Sequence, residues 1–146
     1  MIFPRINLER IAGKKILEAY GVPSMRSDVL NCEYFSEISI LFENIDDYLI
    51  VAGNFEFEDD LESNFQLDLR WNVRRSDNYP SFGIKQKYHK YLYSELGKVI
   101  SYEFEVVKPF SNSLVESVSM NIQAEAGAMI IYGHGPPPTL ILKVQT

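Results

Sequence analysis

Most of the chain alternates apolar and polar residues with a period of two, the pattern of strands that bury one face. The longest run is 65–74, where Phe, Leu, Leu, Trp and Val alternate with Gln, Asp, Arg, Asn and Arg. Asn44-Ile45-Asp46-Asp47 reads as a turn, because Asn and Asp side chains satisfy turn backbone groups. The other predicted strands are 37–43, 48–58, 100–106, 118–126, 128–132 and 140–144.

Apolar residues recur at helical spacing in the segment 8–20, which predicts an N-terminal helix. Asn7 is a suitable cap for its first N–H groups. Gly21 follows the last turn, and Pro23 prevents continuation. A second helix is predicted over 84–96 from the spacing of Ile, Tyr and Leu, although 81–88 is also compatible with a strand.

These elements predict a single α+β domain spanning residues 1–146. Short connections favour antiparallel pairing, so we expect a curved, mainly antiparallel sheet or half-barrel of about seven strands, with the helices packed on it. Cys32 is the only cysteine, which makes a disulfide framework impossible and favours a cytoplasmic location. No apolar stretch is long enough to suggest a membrane span.

Charge is strongly segregated along the chain. Residues 27–69 contain twelve acids and no lysine or arginine, whereas residues 70–98 contain seven bases and two acids. Twelve acids against seven bases leave an excess of five acids, so the two blocks cannot neutralise each other completely, and the net charge of the whole chain is −6. An acidic surface favours basic partners and disfavours binding of nucleic acid or anionic membranes by the whole molecule.

The leading hypothesis is a non-enzymatic binding protein, an immunity or antitoxin-type inhibitor that neutralises a basic, nuclease-like toxin by charge-complementary binding. Its carboxylates would take the places of the substrate phosphates. A hairpin would hold the two acidic turns at its opposite ends, so a continuous patch requires neighbouring elements. The predicted partner-binding residues are Glu43, Asp46, Asp47, Glu56, Glu58, Asp59, Asp60 and Glu62.

Two alternatives remain open. The first is a single-stranded nucleic-acid-binding module that uses the basic and aromatic block 70–93, where bases are interleaved with Trp and Tyr. Trp71 is out of phase with Arg70 and Arg74, which predicts that its ring points into the core. The second is a half-barrel that binds a small molecule in an apolar pocket.

Nothing in the sequence indicates catalysis, so we predict no enzymatic activity, no cofactor and no metal. A serine-hydrolase elbow is absent. Zinc sites use four Cys or His ligands, whereas the chain has only Cys32, His89 and His134. A cysteine–histidine dyad is the remaining option, because such pairs meet in space rather than in sequence.

Overall fold

The computed structural model describes residues 6–23, 34–57, 63–73, 89–92, 94–107, 117–134 and 139–146. Strands dominate the described chain, and two short 3₁₀ turns, Glu9–Ile11 and Ser94–Leu96, are its only helical elements. The strands are β1 Ile16–Pro23, β2 Tyr34–Phe42, β3 Asp47–Phe57, β4 Ser63–Val73, β5 His89–Leu92, β6 Val99–Val107, β7 Ser117–Ala124, β8 Gly127–His134 and β9 Thr139–Gln145.

The strands form one curved antiparallel sheet. Seven of them follow the order β4-β3-β2-β9-β8-β7-β6, which is the half-barrel that the alternating pattern predicted. β1 pairs with the other side of β2, and β5 pairs with β1. Curvature brings β4 into contact with β7 and β8 across the interior. All pairings between strands are antiparallel in the described chain. Short connections predicted this for consecutive strands, whereas β1–β5 and β2–β9 join strands that are distant in the sequence.

Backbone hydrogen bonds fasten the beginning of β6 to the segment before β1. Val99 N–H donates to Lys14 O over 2.9 Å, and Gly13 N–H donates to Val99 O over 2.9 Å. Gly13 has a φ of +73°, a conformation that favours glycine. Ile16 N–H also donates to Gly97 O. On the side away from β7, the last strand of the path is therefore tied to the described residues only where it starts.

The predicted helix 8–20 is wrong. Asn7 Oδ1 accepts a hydrogen bond from Glu9 N–H over 2.9 Å, as a cap would, but only one 3₁₀ turn follows before Gly13. The rest of the segment is β1. Its pairing with β2 skips one residue between Ile16 and Glu18, which is a β-bulge. The bulge places Ile16 and Ala19 in the same core, three residues apart, and so imitates helical spacing.

The predicted helix 84–96 is not supported either. Its described part is strand β5, His89–Leu92, followed by the 3₁₀ turn Ser94–Leu96. Residues 84–88 and 93 lie outside the described residues. β5 pairs antiparallel with β1, which gives Tyr91 the extended backbone that aromatic residues favour. The fold is therefore a sheet of strands without a packed α-helix in the part of the chain described.

The inward faces of the strands form one continuous apolar core. Ile38 and Ile40 of β2 pack with Met120 and Ile122 of β7, and all four are fully buried. Leu67 of β4 is also buried in this core. Inward positions of both ends of the curved sheet therefore meet in the middle, and their burial is the main favourable term in the stability of the fold.

A second, smaller apolar cluster lies on the opposite face of β1, β2 and β3. Leu41, Tyr48 and Ile50 are its buried members, and Leu17 and Tyr20 pack against it. The Tyr20 and Tyr48 rings meet edge to face at 6.1 Å. The central strands are therefore covered on both faces, whereas Asp68, Arg70 and Asn72 of β4 are exposed, as strand alternation requires.

Candidate functional site

The turn between β2 and β3 carries two of the predicted partner-binding acids, Glu43 and Asp46, and a third, Asp47, begins β3. Glu43 is half-buried and Asp46 is exposed. Glu43 N–H donates to Lys15 O over 2.8 Å, which fixes the turn against the segment before β1. Asn44 has a φ of +59°, a left-handed conformation that Asn tolerates better than most residues. The turn thus holds its carboxylates on a defined backbone.

Asp47 already has a cationic partner in the same chain. Arg10 Nη1 lies 3.1 Å from Asp47 Oδ2, and the Arg10 guanidinium stacks on the Trp71 ring at 4.5 Å. Trp71 Nε1 in turn donates to Asn7 O over 3.1 Å. This arrangement joins the N-terminal 3₁₀ turn to β3 and β4, which gives Asp47 a structural role.

Two lysines of the same chain also have their backbone near this end of the sheet. Lys15 and Lys98 form an isolated β-bridge beside the backbone that holds Glu43. Lys98 N–H donates to Glu125 Oε1 over 2.7 Å. Acidic and basic residues are therefore neighbours along the backbone near the turn, whereas the charge density of 27–69 suggested a uniformly acidic surface.

Glu56 lies at the other end of the hairpin. Asp47 pairs with Val73 at one end of the β3–β4 ladder, and Glu56 pairs with Asn64 near the other. Nine residues at about 3.3 Å each separate the two acids by about 30 Å. The described members of the predicted set are thus divided between two ends, as a hairpin requires. The remaining four, which lie outside the described residues, are Glu58, Asp59, Asp60 and Glu62.

The first base of the basic block is also engaged. Arg70 Nη2 of β4 lies 3.3 Å from Glu37 Oε1 of β2, across the intervening strand. Burial raises the pKa of Glu37, Arg70 partly offsets this, and Asp68 raises the pKa further. The side chain of Lys90 and the residues Arg74, Arg75, Lys85 and Lys87 are not described.

The Trp71 ring is not presented to solvent as a stacking platform. It packs against the main core and meets Phe42 at 6.4 Å between ring centroids. Arg10 covers it from another side. The inward orientation predicted from its phase relative to Arg70 is confirmed. A groove that stacks nucleic-acid bases would therefore have to use aromatic residues other than Trp71.

Sequence reasoning missed a pair of acids on β6. Glu103 and Glu105 are exposed and alternate with Tyr102 and Phe104, which pack against the core. Neither carboxylate forms an ion pair with any described residue. Both acids are visible in the alternation of apolar and polar residues over 100–106. They were not predicted as contacts because the prediction relied on the density of acids, which is highest in 27–69.

Other chemistry has little support in the described chain. No group of three or more His, Cys, Asp or Glu side chains is placed to hold a metal ion in the residues described. Cys32, the required member of a cysteine–histidine dyad, lies outside them. No helix in the described ranges is long and apolar enough to cross a membrane.

Comparison with known proteins leaves the class of this protein defined by its fold alone, an antiparallel half-barrel with acidic outer positions. No protein-family profile, curated protein or solved structure matches the chain. Function therefore has to be argued from the geometry of its surface.

Proposed function

We propose that this protein is a non-enzymatic binding protein that captures a basic protein, as an immunity or antitoxin-type inhibitor of a cationic nuclease-like toxin does. The observation that carries the proposal is the set of carboxylates that have no cationic partner among the described residues. Ion pairs among the described residues engage Asp47 and Glu37. They leave Glu43, Asp46 and the β6 acids available, in a chain of net charge −6.

The remaining acids would act in two ways. At a distance, their field would steer a cationic partner and raise association rates toward about 10⁸ M⁻¹s⁻¹ at low salt, against about 10⁵–10⁶ for a neutral pair. In contact, carboxylates would occupy the partner's phosphate-binding positions and so block its substrate. Glu43 and Asp46 are the first candidates among the predicted residues, because Asp47 is held by Arg10. Glu56, near the opposite end of the β3–β4 ladder, and the four acids that follow it in the sequence remain proposed contacts.

The packed interior supports binding at the outer surface. Ile38, Leu49, Met120 and Ile131 fill the concave side of the sheet, and each is fully buried. A partner would therefore meet the strand edges, the turns and the outward side chains. Binding of this kind requires no catalytic residues.

The test begins with a pull-down from the native host, using the purified full chain as bait. We expect one stoichiometric basic protein, whose association with the chain is measured by stopped-flow fluorescence between low and physiological salt. The rate should fall steeply as salt rises, because screening weakens steering. Recovery of no basic protein in stoichiometric amount would overturn the proposal, as would an association rate indifferent to salt.

Matched variants locate the interaction. Glu43→Gln with Asp46→Asn removes two charges at the turn, and Glu9→Gln with Glu95→Gln removes two exposed charges from the 3₁₀ turns. If the turn is a contact, the first pair slows association and speeds dissociation, whereas the second has a smaller effect on association alone. Fluorescence anisotropy with a single-stranded oligonucleotide tests the competing function, and tight, salt-sensitive binding there would count against an inhibitor.

A further inference from the structure

The edge of β6 offers a strand-binding surface. β6 pairs with β7 along its whole length, from Val99 opposite Ala124 to Val107 opposite Ser117. On its other side, Val99 is the only β6 residue that pairs with any described segment. Toward the described residues, the edge is therefore open over the eight residues 100–107, about 26 Å of extended chain. Unpaired N–H and C=O groups along an edge are a template for another strand.

Exposed apolar side chains flank this edge. Ile100 is 63% exposed and Val106 is 46% exposed, the two largest values among the exposed bulky apolar residues of the described chain. Ile100 is the extra residue of a bulge, since the pairing with β7 steps from Val99 to Ser101. Glu103 and Glu105 lie between these two positions along the strand, and their side chains are on the face opposite Tyr102 and Phe104. One strand thus combines open backbone, apolar ends and two free carboxylates.

The carboxylates disfavour a second copy of the chain. An antiparallel β6–β6 pair centred on Phe104 would place Glu103 of each copy opposite Glu105 of the other. A pair centred on either glutamate would place that residue opposite itself. Like charges directly opposite each other destabilise a strand pair, so these registers are disfavoured. A strand that carries Lys or Arg at alternate positions would be attracted at the same sites.

The other two edges of the sheet are less suited to a cationic strand. β4 presents Asp68, Arg70 and Asn72 outward, a mixed row in which Arg70 would repel cations and is already paired with Glu37. β5 has only four residues. β6 is therefore the one described edge that is long and acidic without bases.

We propose that the β6 edge binds a β-strand of the cationic partner by strand addition, with Lys or Arg opposite Glu103 and Glu105 and apolar residues between them. This rests on the proposed function, because it names the surface through which a basic protein is held. Main-chain hydrogen bonds would supply the ladder, and the two carboxylates would set the register and charge of the strand that fits.

The probe is an eight-residue peptide of alternating Lys and Val, blocked at both ends, titrated into the full-length chain at low salt. Binding is followed by fluorescence anisotropy and by hydrogen exchange of the backbone amides of 100–107. We expect saturable binding and slower exchange at these amides. The matched peptide with Glu in place of Lys should bind at least about tenfold more weakly. A Lys peptide methylated at every backbone nitrogen cannot donate the hydrogen bonds of a strand ladder, and its binding should be weakened to the same extent.

The matching protein variants are Glu103→Lys with Glu105→Lys, and the control Glu9→Lys with Glu95→Lys, which has the same net charge. The first variant should bind the Lys peptide about tenfold or more weakly and the Glu peptide more tightly than wild type does. The control should retain the wild-type preference for the Lys peptide. Glu103→Gln with Glu105→Gln neutralises the two charges without reversing them, so it should weaken binding of the Lys peptide to a smaller extent. Circular dichroism of each variant verifies the fold.

Three outcomes would overturn the β6 proposal: absence of binding, equal binding of the N-methylated peptide, or binding without slower exchange at 100–107. If the Lys peptide binds but is released by Glu43→Gln with Asp46→Asn, the β6 site is refuted while capture of basic proteins by the turn is retained. If the chain also fails to recover a basic protein from its host, the proposed function fails independently.

Discussion

β4 and β6 stand at the two ends of the sheet path, and both turn an apolar face to the same core. Their outer rows differ. On β4, Arg70 reaches across β3 to Glu37, so one of its charges is compensated within the sheet. On β6, Glu103 and Glu105 have no such partner among described residues, and the exposed Ile100 stands near them. The comparison separates an edge whose charges are used internally from one whose charges face outward.

Each edge is also anchored differently. Trp71 ties β4 to the N-terminal segment through its contacts with Arg10 and Asn7. On the side away from β7, β6 is anchored at Val99 and pairs with no described segment after it. A bulge and outward charges are both means by which native proteins prevent unwanted pairing of edge strands. On β6 these same features exclude a like-charged strand and remain compatible with a cationic one.

The largest expected effect of breaking this contrast is on stability. Trp71→Ala should lower the free energy of unfolding by about 3 kcal/mol, because it removes a large ring from the core and deprives Arg10 of its stacking surface. Ile100→Ala, on the exposed bulge of β6, should change it by less than about 0.5 kcal/mol. Urea denaturation of both variants measures the difference. Similar losses would show that β4 is not anchored by Trp71 in the way described.

The next effect is on association. Mixing the wild-type chain with the variant Glu103→Lys, Glu105→Lys should produce a heterodimer, since an antiparallel β6–β6 pair centred on Phe104 then matches opposite charges. Reversing two like-charge contacts favours this pairing over either homodimer by about 2 kcal/mol. Analytical ultracentrifugation at low salt measures the heterodimer.

The control mixture contains wild type and the variant Glu9→Lys, Glu95→Lys, which has the same net charge as Glu103→Lys, Glu105→Lys. This second mixture should remain monomeric under the same conditions. Association of both mixtures to the same degree would mean that overall charge, rather than the β6 edge, brings the chains together.

Strands of period two were predictable because both local pattern and tertiary burial select the same residues. In β4, Leu67 and Trp71 face the core while Asp68 and Arg70 face water, as alternation requires. The short β2–β3 turn was predictable for a similar reason, since Asn44 adopts the left-handed conformation itself. Antiparallel order followed from the short connections.

β1 could not be predicted from periodicity, because its bulge alters the period. Ile16 and Ala19 share the main core, while Leu17 and Tyr20 pack on the opposite cluster. With both faces apolar and one residue inserted, the spacing resembles a helix. Long-range pairing with β2 decided the conformation, and such pairing cannot be inferred from a local window.

The candidate site was only partly predictable. Charge density along the chain identified Glu43 and Asp46, but could not show that Asp47 is paired with Arg10, 37 residues away. Charge density also could not identify Glu103 and Glu105 as candidate contacts, because acidic residues are not concentrated in that part of the sequence. Their importance comes from the open edge on which they lie, and an edge is defined only by the strand order of the whole sheet.

A smaller effect is expected at the anchor of β6. Gly13→Ala should cost about 1 kcal/mol, because φ of +73° is unfavourable for a residue with a Cβ, although the space around it is open. If this backbone fixes the start of β6, hydrogen exchange should accelerate at Val99 more than at the β4 amides. Faster exchange throughout the sheet would instead indicate a general loss of stability.

The smallest effect concerns the compensated edge and its pH dependence. Burial raises the pKa of Glu37 above its ordinary value of 4.5, with Arg70 opposing and Asp68 reinforcing the shift. A carboxyl whose pKa is raised on folding contributes stability that is fully present below the unfolded pKa and is lost as pH rises through the folded pKa.

Glu37→Gln removes that titration. As pH falls from 7 toward 4.5, the wild-type chain should therefore gain stability relative to Glu37→Gln, by about 1 kcal/mol or less. Glu103→Gln, which removes an exposed carboxylate on β6, corrects for the loss of one negative charge. Urea denaturation across this pH range measures both variants. If wild type instead lost stability relative to Glu37→Gln on acidification, the pair with Arg70 would outweigh burial, and β4 would be held to β2 more firmly by charge than its geometry indicates.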